Sequence, residues 1–218
     1  MSASSLKPSA VKRERRKEAR PGELLSAALS LFVEKGFAAT RSEEIAARAG
    51  VSKGTLFLYF PSKVELFKAV IQENIVELFP SWQEELRSFD GTHAEMLHHA
   101  MRTWWRNVGE TPASGVVKLV LSEAQNFPEV ATFYQEQVVT PGTRMLQSIL
   151  DGGVACGEFR PMDTHKTVLS VIAPMIFFMM WKNSMGACAA AANIIDPEQF
   201  IDTQVDVLLH GMTTRGTT

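Results

Sequence analysis

Leu24, Leu25, Ala28, Leu31 and Phe32 recur at i, i+1, i+4, i+7 and i+8, the spacing of one apolar stripe on a helix, and the stripe stops at Gly36. Thr40-Arg41-Ser42-Glu43 has the form of a capping box, which predicts a second, short helix burying Ile45, Ala46 and Ala49 and ending at Gly50. Ser52 can cap a third helix over Thr55 to Phe60, cut off by Pro61. A second box, Ser62 to Glu65, opens a longer helix with Leu66, Phe67, Val70, Ile71, Ile75 and Leu78 on one stripe up to Pro80. The pattern is two short helices joined by a tight turn.

Beyond Pro80 the helical spacing persists. Boxes recur at Ser81 to Glu84 and Thr92 to Glu95, and helices are predicted over 92–107, 115–126 and 129–150. Gly152, Gly153, Gly157 and Pro161 break the chain before a helix over 164–185; an alanine-rich connector, 186–193, leads to a last helix opened by Asp196-Pro197. No segment alternates as a strand would, so the fold class is all-α. The most apolar run, Val168 to Trp181, is 14 residues long and contains Pro174, short of the roughly 18 residues of a membrane span, and reads as a buried helix. Residues 1–19 lack apolar periodicity and read as a flexible basic arm, followed by a small unit over 20–66 and a larger one over 67–218.

Charge sharpens this division. The net charge of −2 hides 12 basic against 6 acidic residues over 1–63, and 10 against 18 over 64–218. A basic head on an acidic body suits a polyanionic partner at one end only. The 2 cysteines, Cys156 and Cys188, cannot form a framework of disulfides, and with no secretory pattern at the start the expected compartment is the cytoplasm. His93, His98 and His99 cluster without a carboxylate or cysteine at ligand spacing, so no metal is expected. Phosphate-loop, nucleophile-elbow and zinc-protease signatures are missing too, so neither a cofactor nor catalytic residues are assigned.

Two short helices behind a basic segment have the geometry of a helix-turn-helix, whose second helix enters the major groove of duplex DNA. The chemistry agrees: Thr40, Ser42, Thr55 and Tyr59 carry hydroxyls, Lys53 and Lys63 carry ammonium groups, and Gly54 lets the backbone approach a duplex. With Leu56 and Phe60 facing the core, Lys53, Thr55 and Leu58 or Tyr59 face outward. Over Arg20 to Ile71, above all in Thr40-Arg41-Ser42-Glu43-Glu44-Ile45-Ala46, Ala49 to Phe60 and Ser62-Lys63-Val64-Glu65-Leu66-Phe67, the chain closely resembles the tetracycline-repressor (TetR/AcrR) family. The resemblance implies phosphate contacts from Thr40, Tyr59 and Lys63, and base or groove contacts from Arg41, Ser42, Lys53, Gly54 and Thr55. Where many members have tyrosine this chain has Phe57, which lacks the phenolic hydrogen bond and is left to pack against sugar or the core, with core the commoner place for an aromatic at helical spacing.

The resemblance further implies a homodimeric regulator that binds double-stranded DNA, most simply a repressor released from a palindromic operator by an effector. It implies dimerisation through the last two helices. Val168, Leu169, Val171, Ile172, Met175, Ile176, Phe178, Met179 and Trp181 leave the penultimate helix apolar almost all round, in need of cover that a partner chain can supply. Candidate lining for a small apolar or aromatic effector comes from Met101, Trp104, Trp105, Phe133, Tyr134, Met175, Phe178 and Met179, and also from Met96, His99 and Phe127. Two other classes compete: a DNA-binding architectural or partner-recruiting protein without an effector, and a helical-bundle enzyme. The enzyme reading leaves the basic head unexplained.

Overall fold

The computed structural model describes the backbone of residues 8–184 and 195–213 and the side chains of 20–184 and 195–213. Among these residues the chain is helical, with a single isolated bridge between Phe159 and Thr213. It divides into two compact units that meet in sequence at Val70 and Ile71. The expected connector 186–193 and Cys188 lie outside the described residues, as do residues 1–7 of the expected arm.

In the first unit α1 (Pro8–Lys35), α2 (Ser42–Arg48), α3 (Lys53–Tyr59) and the start of α4 (Lys63–Asn74) surround one small core. The stripe on α1 buries Leu24, Leu25, Ala28, Leu31 and Phe32 as its spacing requires. Phe32, Phe37 and Phe67 meet ring to ring at 4.9 to 5.2 Å, so α1, the turn after it and α4 share one aromatic centre. Helix α1 begins at Pro8, so residues 8–19 of the expected flexible arm have helical backbone. Lys, Arg, Glu and Ala are good helix formers, and a helix already anchored by Leu24 and Leu25 can extend without an apolar stripe of its own.

Gly50 ends α2 with φ +67°, and the amides of Gly50 and Val51 bond back to Ala47 O and Ala46 O at 3.1 and 2.9 Å. This doubly bonded stop reverses the chain within a few residues, and an L side chain would be strained in it. The start of α2 differs from the predicted box. Arg41 is the cap residue, its amide donating to Glu44 Oε2 at 3.1 Å, because the Thr40 hydroxyl turns inward and donates to Gly36 O at 2.7 Å and Leu31 O at 3.2 Å.

In the second unit α4 gives way at Asn74 to a 3₁₀ turn, Val76–Leu78, and then to α5 (Phe79–Arg87), so the single helix expected from Ser62 to Phe79 is broken. Pro80 stands in the first turn of α5, where its missing N–H costs nothing, and Ser81 lies inside that helix instead of capping it. Helices α6 (His93–Trp104), α7 (Ala113–Glu123), α8 (Pro128–Tyr134), α9 (Thr140–Ala155), α10 (Thr164–Lys182) and α11 (Pro197–Met212) follow, with π-helical turns after α6 and α8.

Gly152 and Gly153 sit within α9 and do not break it, contrary to their propensity. A Cβ at Gly153 would collide with the Phe159 ring and one at Gly152 with His93 Nε2, so both glycines make room for side chains packed against the helix. The true stop is Gly157, at φ +79°. Arg102 grips Asp202 with contacts of 2.6 and 2.7 Å and His98 reaches the same carboxylate at 2.7 Å, tying α6 to α11. The Arg102 bond, followed by that of His98, holds the Asp202 carboxyl below its ordinary pKa.

Candidate functional site

Helix α3 is held to its unit by Leu56, which is fully buried, while Lys53, Gly54, Phe57 and Leu58 face solvent. Ser52 caps it, its Oγ accepting from the Thr55 amide at 3.1 Å and lying 2.9 Å from the Thr55 hydroxyl. Leu58 is 85% exposed and Phe57 37%, so the expectation that Phe57 packs in the core is corrected. The reason is helical phase. Position 57 is one residue from the single anchor and lies about 100° round the helix from it.

The Lys53 ammonium lies 2.6 Å from Glu43 and 5.7 Å from the centre of the Phe57 ring. That ion pair lowers the pKa of Glu43, with both partners in solvent, and it brings the start of α2 against the start of α3. Arg41 is exposed, and Ser42, Thr55 and Tyr59 are half-buried around the same edge. Six of the predicted contact residues, Arg41, Ser42, Lys53, Gly54, Thr55 and Tyr59, therefore occupy the two short helices or their caps with side chains at least partly open.

Thr40 and Lys63 are placed otherwise. Thr40 is 1% exposed and its hydroxyl is spent on main-chain carbonyls. Lys63 Nζ donates to the carbonyls of Phe37, Ala38 and Thr40 at 2.8, 3.2 and 3.0 Å and stands 4.6 Å over the Phe37 ring. In the free protein these two polar side chains, expected to hold phosphate, knit the turn between α1 and α2 to the first turn of α4. The long reach back from position 63 to 37–40 carries no signal in local sequence.

The second unit encloses a cavity of about 130 Å³ with walls from Trp82 of α5, Met101 and Trp104 of α6, Tyr134 of α8, Leu146 of α9 and Met175 of α10. Among the described residues no charged side chain lines it. Trp82 is 4% exposed, and its indole N–H finds no acceptor among the described residues. Burial pushes the Tyr134 hydroxyl to a pKa above its ordinary range, which keeps it protonated.

Of the predicted lining, Met101, Trp104, Tyr134 and Met175 face the cavity. Trp105, Phe133, Phe178 and Met179 are not among its walls, and neither are Met96, His99 and Phe127. Trp105 stacks on Phe178 at 4.9 Å and Phe178 on Phe200 at 4.6 Å, forming core where an effector was expected. Adjacent helical residues point about 100° apart, and here Trp104 turns to the cavity while Trp105 turns to Phe178. Ile75, Phe79, Val138 and Gly142 also line the cavity and were missed, since only packing brings their segments together.

The second unit also gathers the histidines differently from the sequence expectation. His98 meets Asp202, His99 meets Glu85 at 2.6 Å, and His93 meets both Glu158 and Cys156.

Comparison with known proteins follows this division. The family profile "Bacterial regulatory proteins, tetR family" matches residues 24–70, and "Tetracyclin repressor-like, C-terminal domain" matches residues 90–197. The repressor KstR2 of Mycolicibacterium smegmatis is 30% identical over 146 residues, 65% of this chain and 68% of that protein. The activator FasR of the same organism is 43% identical over 72 residues, which span 33% of either chain. Among solved structures, a transcriptional regulator from Saccharomonospora viridis in complex with choline superposes with a TM-score of 0.77 at 19% identity, covering 91% of this chain and 100% of that one. FadR from Bacillus subtilis in complex with stearoyl-CoA gives 0.68 at 19%, covering 87% and 97%.

Proposed function

The chain belongs to the tetR family of bacterial regulatory proteins and is a DNA-binding transcriptional regulator, not an enzyme; from that premise we propose that it works in the cytoplasm as a homodimeric repressor released from a palindromic operator by a neutral, largely apolar effector. The observation that carries the DNA contact is α3. One buried leucine anchors it, and the surface left over includes Leu58, an exposed apolar side chain suited to contact with a thymine methyl group. Lys53 would exchange Glu43 for phosphate, and Arg41, Ser42, Thr55 and Tyr59 would add contacts around it. KstR2, matched over more of its length than the activator FasR, is a repressor, which favours that direction over activation.

Gly54 provides the test. A Cβ there would meet only Ser52 Oγ, at 3.8 Å, so the protein has room for alanine, which is also about 1 kcal/mol better than glycine in a helix. Gly54→Ala is expected to unfold no earlier than the wild type while losing at least roughly tenfold in affinity for an operator selected from random duplexes, about 1.4 kcal/mol. Equal affinity in a gel shift would contradict the close approach of α3 to DNA.

The dimer is supported by the outward faces of α10 and α11. Leu169 and Phe177 are 65% and 68% exposed and Val207 63% in the single chain, apolar side chains that a second copy would cover. Helix α10 has the length and composition of a membrane-crossing segment, but Val168, Val171, Met175, Phe178 and Met179 are packed inside its unit. A second copy would cover the remaining face in an intersubunit four-helix bundle and set two α3 helices for successive half-sites.

An uncharged cavity favours an uncharged occupant, because an ion buried there would lack a counter-charge. Ile75, Phe79 and Trp82 touch the cavity just beyond α4, the helix that carries Lys63, so an occupant that prefers another arrangement of this stretch can bias the DNA-binding unit. Ile172→Trp, which fills the cavity, is expected to leave operator binding within about twofold and to abolish release by any ligand found to release the wild type. Release of the filled variant at the wild-type ligand concentration would place the effector elsewhere.

A further inference from the structure

His93 opens α6, Cys156 closes α9 and Glu158 lies just beyond it, 65 positions from His93, yet their ligand atoms come within 4.8 Å of one another. His93 Nδ1 is 3.3 Å from Glu158 Oε2 and 3.5 Å from Cys156 Sγ. The first distance is long for a charge-assisted hydrogen bond of about 2.7–2.9 Å. Both match the edges of a tetrahedron around zinc. With Zn–N and Zn–O near 2.0 Å and Zn–S near 2.3 Å, the N–O and S–N edges are roughly 3.3 and 3.5 Å.

We propose that His93 Nδ1, Cys156 Sγ and Glu158 form a zinc site in the second unit, with the fourth position left to water. The donor set suits a borderline-soft divalent ion, combining thiolate, imidazole and carboxylate, and its two negative charges balance the metal. On binding, the Cys156 thiol proton goes to solvent and the imidazole carries its proton on Nε2.

The surroundings hold two of the three ligands in place. The Glu158 carboxylate accepts from the amides of His93 at 2.8 Å and Ala94 at 2.9 Å, which leaves a lone pair of Oε2 for the metal. Partial burial works to raise the Glu158 pKa, but those amides and the His93 ring bring it below its ordinary value. The His93 ring occupies space that exists only because residue 152 is glycine. Cys156 is exposed, so its Sγ can rotate to complete the set and the fourth position is open to solvent. The site joins the start of α6 to the end of α9, two helices that wall the cavity, and so adds a cross-link that neither helix has alone.

Cobalt(II) is the probe, added to the full-length protein under reducing conditions. The wild type and Cys188→Ser are expected to develop a thiolate-to-cobalt charge-transfer band and the intense visible bands of four-coordinate cobalt, and zinc should bleach both. Cys156→Ser should lose the charge-transfer band. Gly152→Ala, which displaces the His93 ring without altering a ligand, should weaken zinc binding by roughly 10- to 100-fold, the usual cost of losing support around a metal ligand. Helical content measured by circular dichroism separates ligand loss from unfolding. A wild type that gives no charge-transfer band, or a band that survives in folded Cys156→Ser, overturns the site.

Discussion

Phe177→Glu is expected to convert the proposed dimer to a monomer without destabilising the single chain. Phe177 is 68% exposed in that chain, so the substitution removes little packing within it. In a two-fold interface each residue occurs twice, so in the proposed dimer two carboxylates would enter a seam with the exposed Leu169 and Val207. Truncating a buried aromatic anchor costs about 2–4 kcal/mol, and unpaired charge adds to that, so the dimer constant should weaken by at least roughly 100-fold. Operator affinity should fall in parallel. Two linked reading heads bind as one event, whereas separate heads forfeit the effective concentration that joins their half-sites. Sedimentation velocity checks the first effect and a gel shift the second. A dimeric Phe177→Glu protein would move the interface off this face.

Lys63→Ala should lower stability first, and DNA binding only as a consequence. The ammonium satisfies three carbonyls at the turn after α1, and removing it leaves those acceptors without their charged donor. A hydrogen bond to a charged group contributes about 1.5–3 kcal/mol, and the partial solvent access of this site keeps the combined loss to about 2–4 kcal/mol. For a unit this small that is a fall in Tm on the order of 10 °C. The alternative role makes a different prediction. A lysine used only on phosphate would leave Tm unchanged and reduce the salt dependence of binding by about one counterion. Thermal unfolding of the free protein, beside operator affinity at two salt concentrations below the transition, separates the two.

The legible parts of this molecule are those in which neighbours in sequence are also neighbours in space. The stripe Leu24 to Phe32, the stop at Gly50, the Ser52 cap and the box at Thr92 and Glu95 all occur as the local pattern predicts, because each is closed by contacts within a few residues. The failures have the opposite character. Thr40 could cap α2 by its spacing, but the carbonyls of Leu31 and Gly36 compete for its hydroxyl and win. Gly152 and Gly153 look like helix breakers until Phe159 and His93 are packed on them. Phe57 looks like core by composition and is turned outward by the phase that Leu56 sets.

The candidate surfaces divide in the same way. The six accessible residues proposed for DNA contact fall within a compact segment, 41–59, so sequence was enough to gather them. The cavity draws on α5, α6, α8, α9 and α10, and only four of its walls were recognised. Apolar periodicity identifies the side of a helix that is buried, but a cavity wall and a close-packed core look alike to it.

Sequence alone determined the helical class, the basic head, the paired short helices and the residues between 40 and 63 that tie the chain to its family, since periodicity, capping and turn chemistry act over one or two turns of chain. Tertiary structure alone decided that Lys63 and Thr40 brace the first unit, that Trp104 faces a cavity while Trp105 faces core, and that His93 meets Cys156 and Glu158. Those outcomes depend on which distant groups compete for the same hydrogen bond or the same volume, and that competition exists only after the helices have packed.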